Sequence, residues 1–105
     1  MRGEVWVARA ELYASKVRPV LVAQASAFDV YDSTVTCLLT TFESENALAR
    51  VRVEPDEVNG LDAVSFVMTK KLFSFDKADL SHRVGRLSEA DMARVSDRLR
   101  AVLDL

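Results

Sequence analysis

Two hydrophobic periods divide the chain. Through the first two-thirds, apolar residues fall at every second position or in short unbroken runs, the spacing of β-strands. Near the end they return at every third or fourth position, the spacing of a helix. Residues 4–10 put Val5 and Val7 on one side and Trp6 on the other. Residues 17–24 form a denser apolar run, as in a strand covered on both faces. Pro19 lies inside that run and brings no N–H to a ladder, which implies an edge position or a break near the strand's start. Residues 34–41 are rich in β-branched side chains, and 48–54 alternate cleanly, Val51 and Val53 against Arg50 and Arg52. Turn chemistry fills 55–60, ending in Asn59-Gly60, and residues 63–69 predict a fifth strand. Ser88 then stands as an N-cap, with Glu89 and Asp91 in the first turn. Met92, Val95, Leu99, Val102 and Leu103 make one stripe, which predicts a helix over 89–102. Asp97 and Arg100 are spaced to pair across a turn, and 76–81 predicts one further helical turn. Short, closely spaced strands followed by a helix specify a mainly β fold, a small barrel or sandwich with the C-terminal helix laid over it.

Composition narrows the function. With 105 residues, half of them apolar, the chain is expected to form a single domain over 1–105 with its own core. Fourteen basic against 16 acidic side chains leave a net charge of -2, which excludes a binder held to nucleic acid by overall charge. A lone cysteine makes no internal disulfide, and Cys37 sits in an apolar run where burial silences it, so a reducing compartment is expected. Arg2, Glu4 and Arg9 interrupt any leader-like run, and no apolar stretch is long enough to span a membrane. The expectation is a cytoplasmic protein. His82, read in a polar connection between Ser81 and Arg83, and Cys37 offer no metal-ligand spacing. No glycine-rich loop opens a helix, and neither metal nor cofactor is expected.

What remains is Arg18, just inside an apolar strand, and the threonines Thr40 and Thr41 that end another. A guanidinium has five donors in a fixed fork, which match the two free oxygens of a phosphodiester. A hydroxyl such as that of Thr40 adds a neutral donor to the same phosphorus centre. A structural ion pair for Arg18 and plain strand roles for the threonines use the same residues, and residue types alone leave both readings open.

Five segments in order resemble the MazF/PemK family of toxin endoribonucleases from bacterial toxin–antitoxin pairs. They are Arg2-Gly3-Glu4-Val5-Trp6, Arg18-Pro19-Val20-Leu21-Val22, the stretch ending in Leu38-Leu39-Thr40-Thr41, Asn59-Gly60-Leu61 with Ser65-Phe66-Val67, and Val84-Gly85-Arg86-Leu87-Ser88. The resemblance implies a small SH3-like β-barrel of the CcdB/PemK kind with a C-terminal helix, working as a homodimer. It implies metal-independent, sequence-selective cleavage of single-stranded RNA. The neighbouring ribose 2′-hydroxyl attacks phosphorus and leaves a 2′,3′-cyclic phosphate and a 5′-hydroxyl. Arg18 and Thr40 fall on the family's catalytic arginine and threonine. The implied partner is a MazE-like antitoxin whose acidic, disordered tail folds over the toxin.

Departures from the family pattern shape the rest. Val17, not a histidine, precedes Arg18; the connection over 11–16 is short; and Lys70-Lys71 stand where an Asp-Gln pair is common. Those lysines, with Thr41 and the aromatic residues Phe28 and Tyr31 after the second strand, are the candidate RNA-binding residues; Phe42 is a further aromatic able to stack on a base, and Trp6 is read as core or dimer interface. Two other functions use the same fold. One is a CcdB-like gyrase-binding toxin, suggested by residues 78–83 but lacking that family's Trp-Gly-Ile terminus. The other is a catalytically weakened relative that only binds antitoxin.

Overall fold

The computed structural model describes residues 1–9, 17–44 and 48–105. Six antiparallel strands form one sheet: β1 (Glu4–Arg9), β2 (Val17–Val22), β3 (Ser33–Thr40), β4 (Arg50–Val53), β5 (Ser65–Asp76) and β6 (Leu80–Arg86), in the order β4-β5-β3-β2-β1-β6. The helix α1 (Glu89–Leu103) follows. The five expected strands are present, and the expected connection at 11–16 lies outside the described residues.

The sheet is barrel-like without full closure. β4 and β6 are its edges, and the turn after β4 covers the seam between them: Arg86 donates its N–H to the Val58 carbonyl at 3.1 Å. Asn59 holds that turn from inside. Its fully buried amide accepts from the N–H groups of Asp56 and Leu61 and donates to the Glu54 carbonyl. Gly60 follows at φ +68°, where a side chain would run into the Val84 carbonyl. The turn dipeptide is therefore the latch of the seam, a role its local sequence alone does not reveal.

Alternation sorts the sheet's side chains onto two faces. Val5, Leu21, Cys37, Leu39, Val51, Val53 and Val67 share the face that α1 covers through Val95, with Met92 and Leu99 beside it. Ser88 caps the helix by accepting the Asp91 N–H at 3.1 Å, and Asp97 pairs with Arg100 at 2.9 Å, as the spacing predicts. Ala8, Val20, Leu38, Met68, Phe75 and Leu80 pack on the other face with Trp6. Trp6 is half-buried and donates its indole N–H to Glu4 at 3.0 Å.

Three features differ from the sequence reading. The sixth strand, β6, occupies a stretch read as a polar connection, and only a short 3-10 turn at Lys77–Asp79 remains of the helical turn expected over 76–81. Its alternation is masked by exposed Ser81, His82 and Arg83, because an edge strand needs few apolar residues. His82 accordingly sits on a strand, opposite Val7, with its side chain exposed. The fifth strand runs to Asp76 because a bulge lets it turn a corner: Leu38 pairs with Met68, but Cys37 pairs with Leu72. Finally, β2 is central, not an edge; the proline is accommodated by the alternative, a late start to one ladder, since β2–β3 pairing begins at Val20.

Candidate active site

The two principal candidates stand on neighbouring strands, β2 and β3. β2 pairs with β3 through Val20↔Leu38, Leu21↔Cys37 and Val22↔Thr36. The ladder stops there, and Arg18 and Thr40 lie two residues beyond its end on these neighbouring strands, in step with Val20 and Leu38 and so on their face of the sheet by alternation. On its other flank Arg18 faces Ala8 of β1, and Thr40 faces Phe66 of β5. A methyl group on one side and a small hydroxyl residue on the other leave lateral room for a guanidinium. Arg18 and Thr40 are both half-buried at the end of the sheet, neither sealed nor fully in solvent.

The Thr40 hydroxyl has a defined role in its turn. Its Oγ1 accepts the N–H of Phe42 at 3.1 Å, a local threonine turn that ends the strand. A hydroxyl offers two lone pairs and one proton, so this bond occupies a lone pair and leaves the proton for an acceptor above the sheet. Arg50 clamps the same turn from the other side, donating from Nη1 to the Phe42 carbonyl at 2.6 Å. Phe42 is thus fixed through both its N–H and its carbonyl while its side chain remains 72% exposed. Thr41 is exposed beside it.

The lysines arrive through the β5 bulge. Thr69, Lys70 and Lys71 fall outside the β3 ladder, and buried Thr69 anchors the detour by donating its N–H and its hydroxyl to the Ala49 carbonyl. Lys70 and Lys71 emerge exposed beside Arg50, which pairs with Met68 and so lies on the face of Val20 and Leu38. Arg52, opposite Phe66, shares that face and pairs with Glu54 at 2.5 Å, both side chains more than half exposed. Sequence alternation separated Arg50 and Arg52 from the valines, but only the β4–β5 register reveals that they share the face of Met68 and Phe66.

Phe28 and Tyr31 are not part of this constellation. Both are exposed in the β2–β3 connection, at the opposite end of the hairpin, beyond Val22 and roughly 13 Å or more along the strand from Arg18. Cys37 is fully buried on the helix face; burial pushes its thiol up to about 11, opposed in part by the charge of Arg2. It takes no part in the site. Among the described residues, no three His, Cys, Asp or Glu side chains cluster as a metal site would require.

Fold and site together define a small curled-sheet domain that carries a guanidinium, a hydroxyl and further cations on one face, groups whose chemistry suits an anion. Comparison with known proteins gives that class its family. Residues 1–103 match the model of the PemK-like, MazF-like toxins of type II toxin–antitoxin systems. The chain is 38% identical over 105 residues to a probable endoribonuclease MazF of Mycolicibacterium smegmatis, covering 99% of this chain and 96% of that protein. Among solved structures, it resembles the Mycobacterium tuberculosis toxin MazF-mt6, with a TM-score of 0.82, 21% identity and 97% of each chain covered. It also resembles an endoribonuclease in complex with its cognate antitoxin from a mycobacterial species, with a TM-score of 0.85, 22% identity, and 100% of this chain and 95% of that one covered. The chain belongs to the PemK-like, MazF-like toxin family.

Proposed function

We propose that this MazF-like endoribonuclease toxin cuts single-stranded RNA without a metal ion, by attack of a ribose 2′-hydroxyl on the adjacent phosphorus. The observation that supports this most strongly is that Arg18 and Thr40, both half-buried, follow the last β2–β3 pair, Val20↔Leu38, by two residues on adjacent strands and so fall on one face by alternation. Because the nucleophile belongs to the substrate, the protein has only to orient one nucleotide and steady the charge of the pentacoordinate phosphorus. The Arg18 fork holds two non-bridging oxygens, and Thr40 donates its remaining proton to one of them. A guanidinium is a poor proton donor, so Arg18 acts through charge and geometry. The products are a 2′,3′-cyclic phosphate and a 5′-hydroxyl.

Phe42, exposed and held by its backbone, stacks on a base next to the cleaved bond, with Thr41 alongside. Phe28 and Tyr31 serve only an RNA long enough to run the length of β2. The protein works as a cytoplasmic homodimer of single-domain chains, restrained by a MazE-like antitoxin with an acidic tail; no helix of the described residues is long and apolar enough to cross a membrane. Incubation of defined RNAs with the protein in EDTA, alongside Arg18→Ala, tests the reading. Cleavage by the wild type and its disappearance with Arg18→Ala are expected; intact RNA across many sequences would turn the assignment toward antitoxin or gyrase binding.

A further inference from the structure

An open pocket of about 260 Å3 lies beside the candidate active site, lined by Ala49, Arg50, Met68, Lys70 and Lys71. Three of those five residues are cations, and none of the described lining residues carries a carboxylate, although the protein as a whole is acidic. Its floor, Met68, lies opposite Leu38 while Thr40 lies opposite Phe66, so the pocket begins roughly 8 Å from Thr40 on the same face of the sheet. Its position has structural causes. The bulge that lets β5 turn its corner re-aims Lys70 and Lys71, and Thr69 pins that bulge to the Ala49 carbonyl.

We infer that this pocket is a second phosphate site, holding a backbone phosphate of the same RNA strand next to the one being cut. The inference rests on the ribonuclease reading for its ligand and adds a distinct residue set. Arg50 joins the two sites: one face of its guanidinium fork holds the Phe42 carbonyl, and through Phe42 the Thr40 turn, while the side chain lines the pocket. A phosphate seated there draws the strand across Phe42 toward Arg18 and Thr40. It also gives an acidic protein a local attraction for a polyanion that its net charge denies it.

Two measurements test this. Binding of oligouridylate across a salt series needs no cleavage. The Lys70→Ala/Lys71→Ala protein should bind several-fold more weakly, and the slope of log affinity against log salt should become shallower by about 0.7, because one phosphate is no longer neutralised. Lys70→Arg/Lys71→Arg should restore both. An unchanged slope overturns the inference. For an RNA that the wild type cuts, with a 2′-deoxy nucleotide at the cut, single methylphosphonates should weaken binding at the scissile phosphate and at one neighbour. Only the neighbour's effect should vanish in the double lysine variant. If the neutral phosphate weakens wild type and variant equally at every position, the pocket is not a phosphate site. If the wild type cuts no RNA, the ribonuclease reading fails and the salt series still decides the pocket. Unfolding temperature guards against misfolding: both side chains are exposed, and the double variant should unfold cooperatively within a few degrees of the wild type.

Discussion

Replacing Thr40 by valine separates chemistry from stability. The two side chains have nearly the same shape, so the change deletes one hydroxyl and little else. In the folded protein that hydroxyl accepts the Phe42 N–H at 3.1 Å. Phe42 is exposed, so water takes over the N–H, and the stability cost is expected at about 0.5–1 kcal/mol. The same substitution removes the only proton the hydroxyl had left for a phosphoryl oxygen. Positioned donors of this kind contribute roughly 100- to 1,000-fold in rate, or about 3–4 kcal/mol. Thr40→Val should therefore slow cleavage by about two orders of magnitude while shifting the urea midpoint only slightly. Thr40→Ser, which keeps the donor, should stay within about tenfold of the wild type. Single-turnover cleavage with saturating protein isolates the chemical step, and urea unfolding reads stability. Wild-type cleavage by Thr40→Val would refute the role given to the hydroxyl. A collapse of stability in step with the rate would show that Thr40 acts by holding its turn.

Other substitutions probe separate links. Arg18→Lys keeps the charge but removes the two-pronged fork, and cleavage should fall by about 100-fold or more under single-turnover conditions, by analogy with other transition-state donors. Gly60→Ala forces a side chain into the left-handed region and against the Val84 carbonyl, so the seam should open at a cost of about 3 kcal/mol, read by urea unfolding. Cys37 supplies a pH dependence. Its neutral thiol is favoured in the folded state, so between about pH 9 and 11 the unfolded chain releases a proton that the folded one keeps. Stability conferred on the neutral thiol is complete below pH 9 and declines as pH rises through that window, and Cys37→Ala should flatten the decline. A thiol reagent at neutral pH should label Cys37 only in denaturant.

The sequence carried much of the fold because its strands are two-sided. Valine and leucine at odd and even positions of β2 and β3 specify burial on both faces, and Ser88 with the Met92-Val95-Leu99 stripe specifies the helix. β6 escaped because an edge strand with Ser81, His82 and Arg83 exposed has no apolar alternation to read. The site was legible only in part, for a related reason. Arg18 and Thr40 stand out in apolar strands, but that those two strands are neighbours comes from the sheet order. Arg50 and the lysine bulge depend on more: a register between β4 and β5 and a three-residue slip against β3 that no local pattern encodes. Phe28 and Tyr31 show the converse: near β2 in sequence, they lie in the β2–β3 connection, beyond the end of β2 that is remote from Arg18.

The most direct test is a double-mutant cycle on cleavage rate, with Arg18→Ala, Thr40→Val and the two combined, in EDTA. If both side chains hold one phosphoryl group, each forfeits most of its value without the other, and the double variant should be little slower than the slower single. Two penalties that multiply in full would mean that the guanidinium and the hydroxyl act on different parts of the RNA, contrary to the geometry derived for them.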